Sequence, residues 1–127
     1  MRPTILTVDD SKGMRLMVAK ALSAYDCEVG EASNGFNAFF AIERARPNLI
    51  LLDVAMPVMN GVDMLERLKA TPELADIPVI MLTSPTDHPV MNDIKALGAS
   101  GTLMKPITET ALIEKISSVI KLKPARK

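Results

Sequence analysis

Apolar residues alternate along the chain between short runs and stretches in which they recur every three or four positions. Five segments are predicted as β-strands, at residues 4–8, 27–32, 49–52, 79–82 and 102–104. The third and fourth are unbroken apolar runs, and such runs suit strands that are covered on both faces of a parallel sheet. The pattern therefore predicts a parallel sheet buried between two layers.

The segments between the strands have the spacing of amphipathic helices. One follows Ser11, three more cover residues 36–46, 62–70 and 87–97, and the last follows Thr108. Ser11 and Thr108 are good helix caps, because their hydroxyls accept hydrogen bonds from free backbone N–H groups. Five strands that alternate with five helices predict an α/β fold, a doubly wound five-stranded parallel sheet with right-handed crossovers and helices on both faces.

Composition narrows the class of protein further. The 127 residues fit one domain, with a core at about 4–120 and a basic tail at 121–127 that is expected to fray. Fifteen basic and fifteen acidic side chains cancel, so we expect no general attraction to nucleic acid. No apolar run approaches the roughly 20 residues of a membrane span, and no signal peptide is visible, so no membrane insertion is expected. The single cysteine, Cys27, favours a reducing compartment, and we predict a cytoplasmic protein.

Polar side chains follow four of the predicted strands. Asp9 and Asp10 end the first, Asp53 the third, Thr83 the fourth and Lys105 the fifth. Ligands of open α/β sheets bind at the carboxyl ends of strands. The sequence therefore places its candidate chemistry at one edge of the sheet.

Three carboxylates at one edge repel each other unless a cation neutralises them. Hard oxygen ligands in small number suit Mg²⁺, which accepts phosphate as a further ligand. Lys105 adds a fixed positive charge, Thr83 adds a hydroxyl, and an aspartate can itself be the nucleophile that forms an aspartyl phosphate. These residues together predict a site for one metal ion and one phosphoryl group.

Five motifs in this order resemble the receiver domain of two-component response regulators, of the single-domain type similar to the chemotaxis regulator. The motifs are Val8-Asp9-Asp10-Ser11, Leu52-Asp53-Val54-Ala55-Met56-Pro57 followed by Gly61, Leu82-Thr83-Ser84, Gly98-Ala99 and Lys105-Pro106. The resemblance covers about residues 4–120. It implies a flavodoxin-like sheet with the strand order 2-1-3-4-5.

The resemblance also implies roles for the acidic residues. Asp53 corresponds to the phosphoacceptor, and Asp9 and Asp10 correspond to acids of a Mg²⁺ site that Asp53 shares. Ala55 stands where the family contributes a backbone carbonyl to the metal. The implied phosphoryl donor is a histidine kinase or a histidine phosphotransfer protein.

Further residues are implied as parts of a conformational switch. Thr83 corresponds to the hydroxyl that moves toward the phosphoryl group, and Lys105 to its counter-charge. Pro106 corresponds to a proline that follows a cis peptide bond. The family often has an aromatic switch residue where this chain has Thr102, so we expect little movement of the fifth strand.

Protein partners are expected to recognise apolar side chains outside the core stripes. Met14, Leu16 and Met17 near the acidic pocket are predicted to contact the phosphoryl donor. Phe36, Phe39 and Phe40 cannot all face inward on one helix. Phe39 and Ile42 fit the core stripe, which leaves Phe40 and Phe36 toward solvent, and two exposed phenylalanines near each other indicate a contact surface. The sequence does not identify the output protein.

Three alternatives remain open on the residues alone. A phosphatase of the haloacid dehalogenase kind also forms an aspartyl phosphate, but it needs Asp-x-Asp after its first strand, where this chain has adjacent Asp9 and Asp10. A pseudo-receiver would keep the fold without being phosphorylated. A flavodoxin-type cofactor binder would need a phosphate loop rich in hydroxyls and glycine. We predict a signalling phosphoacceptor whose only chemistry is its own phosphorylation and dephosphorylation, and not a turnover enzyme.

Overall fold

The computed structural model describes residues 2–125 and contains one five-stranded parallel sheet. The strand order is β2-β1-β3-β4-β5, which confirms the predicted fold class and the order that the resemblance implied. The strands are β1 (Thr4–Val8), β2 (Glu28–Ala32), β3 (Leu49–Asp53), β4 (Val79–Thr83) and β5 (Gly101–Met104).

Helices cover both faces of the sheet. They are α1 (Lys12–Leu22), α2 (Gly35–Arg44), α3 (Gly61–Ala70), α4 (Met91–Ala96) and α5 (Glu109–Ser117). Buried residues of α1 and α5 form one core cluster, whereas those of α2, α3 and α4 form a second cluster on the other face. Within residues 2–125, no helix combines the length and the apolar character that a bilayer crossing requires.

Strand β3 lies at the centre of the sheet and shows why an unbroken apolar run is needed there. Leu49 and Leu51 belong to the α1/α5 cluster, while Ile50 and Leu52 belong to the α2/α3/α4 cluster. All four side chains are fully buried. Because full burial of such a side chain contributes about 1.5–3 kcal/mol, this strand firmly fixes the position of the residue that ends it, Asp53.

The predicted helix over residues 87–97 is wrong in its first half. A 3-10 helix covers Pro85–Val90, and only Met91–Ala96 is α-helical. Pro89 lies inside the segment, and a proline lacks the N–H that an α-helix needs. Smaller differences occur elsewhere: β2 begins after the buried Cys27, and α2 ends two residues before Arg46.

The C-terminal tail, predicted to fray from Lys121, pairs with the loop after α1 as far as Ala125. The N–H of Asp26 donates to the Lys123 carbonyl at 2.7 Å, and the N–H of Ala125 donates to the Ala24 carbonyl at 2.9 Å. The prediction is therefore wrong for this part of the tail, because its backbone finds partners that are distant in sequence. The last two residues lie outside the described residues.

Thr7 on β1 gives a test of how the core is packed. Its side chain is fully buried, and its hydroxyl has no hydrogen-bond partner among the residues that the structure describes. A buried, unsatisfied polar group costs about 1–3 kcal/mol. Thr7→Val is therefore expected to raise the free energy of unfolding by about 1 kcal/mol in urea titrations. A clear loss of stability would contradict this description of the site.

Candidate functional site

The carboxyl ends of β1 and β3 lie side by side, since Val8 pairs with Leu52 in the parallel register. This arrangement gathers the acidic residues that the sequence placed at the strand ends. One carboxylate oxygen from each of Asp9, Asp10 and Asp53 lies within 4.8 Å of the others. Asp9 and Asp53 are buried, whereas Asp10 is exposed at the mouth of the site.

Lys105 joins two of these carboxylates. Its Nζ atom donates to Asp9 Oδ2 and to Asp53 Oδ1, both at 3.1 Å. Burial lowers the pKa of Lys105, but its hydrogen bonds to Asp53 and Asp9 and their charges outweigh burial, so the pKa lies above its usual value. The ammonium therefore stays charged, and the three carboxylates exceed it by two negative charges.

Asp53 is the group whose ionisation the site perturbs most clearly. Burial raises its pKa from 3.8 to about 6, although the hydrogen bond and the charge of Lys105 oppose the shift. The neighbouring charges of Asp9 and Asp10 raise the pKa further. Ionised Asp53 is thus costly in the folded chain until a cation balances the surplus negative charge.

Asp9 is held through both its side chain and its backbone. The Ser11 N–H donates to Asp9 Oδ1 at 2.9 Å, while Lys105 occupies Oδ2. Arg15 donates from Nη1 to the Asp9 carbonyl at 2.6 Å. These contacts fix the direction in which the Asp9 carboxylate points.

Arg15 also belongs to the site, although the sequence did not predict it there. Its Nε atom donates to Glu31 Oε1 at 3.1 Å, so the side chain links α1 to the end of β2 while it holds Asp9. The available signal was position: Arg15 precedes the buried Val18 by three residues and Leu22 by seven, on the core stripe of α1. A charged residue on such a stripe indicates a specific polar contact.

Gly61 is also more closely tied to the site than its sequence context indicated. Its N–H donates to the Val54 carbonyl at 2.8 Å, which brings the start of α3 against the end of β3. A Cβ atom at this position would collide with the backbone of Asp53. Only glycine permits this close approach.

Thr83 is buried at the end of β4, and its hydroxyl points toward β5. Oγ1 donates to the Leu103 carbonyl at 3.3 Å. The next residue, Ser84, donates its N–H to Asp87 Oδ2 at 2.7 Å, and the Asp87 N–H donates back to the Ser84 carbonyl. The loop after Thr83 is therefore held by two hydrogen bonds between Ser84 and Asp87, while the half-buried Thr102 lies on β5 opposite residue 81.

The remaining predicted residues lie around this edge of the sheet. Ala55 is exposed in the loop after β3. The Lys105–Pro106 peptide bond is cis, as the resemblance implied. On α1, Leu16 is 56% exposed, whereas Met14 and Met17 are half-buried against the α1/α5 cluster.

Comparison with known proteins identifies the class to which this fold and site belong. The family model described as response regulator receiver domain matches residues 5–117. The chain therefore belongs to the response regulator receiver family, the phosphoaccepting domains of two-component systems. Receiver domains generally bind Mg²⁺ at an acidic pocket.

Individual relatives agree with this assignment. The chain is 30% identical over 123 residues to sporulation initiation phosphotransferase F of Bacillus subtilis, covering 97% of this chain and 98% of that protein. It is 37% identical over 120 residues to the phosphate regulon transcriptional regulatory protein PhoB of Pseudomonas aeruginosa, covering 93% of this chain but only 52% of PhoB. The chain thus spans about half the length of that relative.

Among solved structures, the chemotaxis response regulator CheY4 of Vibrio cholerae superimposes with a TM-score of 0.87 at 32% identity. The match covers 94% of this chain and 100% of CheY4. Family membership places the chain among receivers and not among the haloacid dehalogenase or flavodoxin-type alternatives.

Proposed function

We propose that this chain accepts a phosphoryl group on Asp53 from a histidine kinase or a histidine phosphotransfer protein, with Mg²⁺ as cofactor. It then signals to a protein partner through a conformational change. The observation that carries this proposal is the position of the buried Asp53 carboxylate, which lies 3.1 Å from Lys105 and shares one acidic cluster with Asp9 and Asp10.

The donor set fits Mg²⁺ better than a soft metal. The cluster offers only carboxylate oxygens and carries two negative charges beyond the charge of Lys105. Asp9, Asp10, Asp53 and the Ala55 carbonyl would hold the ion, which favours few protein ligands and retained water. When bound, the ion supplies positive charge to the oxygens of the phosphoryl group.

In phosphoryl transfer the protein mainly positions the reacting groups and neutralises their charge. A carboxylate oxygen of Asp53 attacks the phosphorus of the donor's phosphohistidine, the new P–O bond forms as the P–N bond breaks, and the imidazole nitrogen keeps the electron pair. Lys105 stays protonated beside the reacting oxygens and offsets their charge. Asp9, held by Ser11 and Lys105, keeps its direction throughout.

Phosphorylation is expected to move the loop after Thr83 more than β5. To reach a phosphoryl oxygen, Oγ1 must leave the Leu103 carbonyl, and the loop that Ser84 and Asp87 hold must follow. Thr102 has no aromatic ring that could swing between buried and exposed positions. Amide exchange with and without beryllofluoride should change most at residues 83–87. Large changes centred on Thr102, with a quiet 83–87 loop, would contradict this description.

The donor is expected to dock on α1 through Met14, Leu16 and Met17. Leu16 is the most exposed of the three and makes the sharpest test. Leu16→Glu should slow phosphoryl transfer from the donor at least tenfold, because a charge is buried at the contact, and leave labelling by acetyl phosphate unchanged. The matched control is Ala96→Glu at an exposed position of α4, which lies on the other face of the sheet. Equal loss with both phosphoryl donors would mean that the site itself is damaged.

A labelling experiment tests the proposed function. With acetyl phosphate and Mg²⁺, the chain should take up one phosphoryl group, and it should not sustain multiple turnovers of small phosphate esters. No uptake would indicate a pseudo-receiver, whereas continued ester hydrolysis would indicate a phosphatase. Either result would overturn the proposal.

A further inference from the structure

Helix α2 exposes two phenylalanines that do not belong to either core cluster. Phe36 is 49% exposed and Phe40 is 66% exposed. They lie four residues apart and therefore share one face of the helix, while Ala38 and Ile42 face the core. Two large aromatic side chains on one exposed helical face indicate a surface that another molecule covers.

The two phenylalanines line separate clefts of opposite charge. Phe40 lines a cleft of about 510 Å³ with Arg15, Glu31 and Arg44. Arg15 is paired with Glu31, whereas within residues 2–125 no carboxylate forms a salt bridge with Arg44. This cleft, which we call the Phe40 cleft, therefore carries one unpaired positive charge.

The second cleft, which we call the Phe36 cleft, has a volume of about 240 Å³. Phe36 lines it together with Val58, which is itself strongly exposed. Its charged residues are Asp63, Glu66 and Arg67, so the two acids exceed the single cation by one negative charge. The surface along the exposed face of α2 thus runs from Phe36, which lies beside acidic residues of α3, to the basic Arg44.

We infer that two copies of this chain associate through α2, packed antiparallel about a two-fold axis near Phe40. Arg44 and Phe36 each lie four residues from Phe40, about 6 Å along the helix at 1.5 Å per residue. A two-fold axis at Phe40 therefore brings Arg44 of one copy over the Phe36 cleft of the other, beside Glu66.

Symmetry makes this surface self-complementary. A two-fold interface uses the same patch on both copies, so every contact occurs twice. Both Arg44–Glu66 attractions form, and both phenylalanine pairs are removed from water. Only two large apolar side chains on each copy enter the contact, fewer than a standard interface of roughly 800 Å² per partner provides, so we expect a weak dimer.

Sedimentation equilibrium of the full chain over a range of concentrations tests the inference. Wild-type chain should show a monomer–dimer equilibrium. Arg44→Glu alone and Glu66→Lys alone should each raise the dimer dissociation constant at least tenfold, because each places like charges together twice. Lys20→Glu on α1 is the matched control and should leave the equilibrium unchanged. Phe40→Ser should weaken the dimer without altering the net charge.

Mixing the Arg44→Glu chain with the Glu66→Lys chain gives the sharpest result. In a mixed dimer, the introduced carboxylate of the first chain faces the introduced ammonium of the second, and the two native partners, Arg44 and Glu66, face each other at the symmetry-related contact. The mixture should therefore dimerise about as well as wild type, while each variant alone does not. A wild-type chain that stays monomeric, or a mixture that fails to associate, would overturn the inference. Neither outcome would affect labelling of Asp53, which is tested separately.

Discussion

Asp53→Asn is expected to raise the free energy of unfolding of the metal-free chain by about 3 kcal/mol above pH 7. The pKa of Asp53 is raised from 3.8 to about 6, and each unit of difference corresponds to about 1.4 kcal/mol. A raised carboxyl pKa means that the unfolded chain loses its proton first as the pH increases. The native state therefore loses stability between about pH 4 and pH 6, and asparagine removes that loss.

Urea titrations in the presence of a chelator measure this effect. The two chains should differ little below pH 4, and the gap should open by pH 7. Asp10→Ala should stabilise less, because Asp10 is exposed and is the smallest cause of the shift at Asp53. Mg²⁺ should stabilise wild type and narrow the gap. If the asparagine variant is no more stable than wild type at neutral pH, burial and charge repulsion do not destabilise ionised Asp53 as its raised pKa implies.

Gly61→Ala is expected to destabilise the chain by about 3 kcal/mol and to impair phosphoryl uptake. The added Cβ meets the backbone of Asp53, which cannot move aside as a flexible side chain would. Relief of the collision must displace either α3 or the end of β3. Because Asp53 ends β3, displacement of that strand end shifts the Asp53 carboxylate relative to Lys105.

Gly13→Ala is the matched control, because Gly13 also lies in the first turn of a helix. A Cβ at this position would meet nothing closer than the Ser11 hydroxyl at 3.8 Å. Alanine is the better helix former by up to about 1 kcal/mol, so this variant should be as stable as wild type or slightly more stable. If thermal unfolding shows the two alanine variants equally stable, the close approach at Gly61 is not a constraint.

The order of strands and helices along the chain, and the clustering of the site residues at one edge of the sheet, could be predicted because both depend on local patterns of apolar and polar residues. An apolar run such as 49–52 can only be a buried strand in this context, and a parallel sheet collects the residues that end its strands at one edge. Asp53 and Lys105 are 52 residues apart in sequence, yet Asp53 ends β3 and Lys105 directly follows β5. The helix caps Ser11 and Thr108 were predictable for the same local reason.

The features that the sequence did not reveal depend on contacts between distant segments. Arg15 lies on the core stripe of α1, but its partner, the Asp9 carbonyl, is a backbone group that no side-chain pattern marks. The tail pairs with the loop after α1 through backbone groups that every residue carries, so no side-chain pattern marks the pairing. The sequence predicted an α-helix from residue 87, but Pro89 lacks the N–H that an α-helix needs, and Pro85–Val90 forms a 3-10 helix.

Locating the phosphoryl group tests the central claim most directly. After incubation with acetyl phosphate and Mg²⁺, peptide mapping by mass spectrometry should place one phosphoryl group on the peptide that contains Asp53. Asp53→Asn should abolish the label, and Asp93→Asn, which removes an exposed carboxylate on α4, should retain it. Undiminished labelling of the Asp53→Asn chain at neutral pH, or a label mapped to another residue in wild type, would contradict the account.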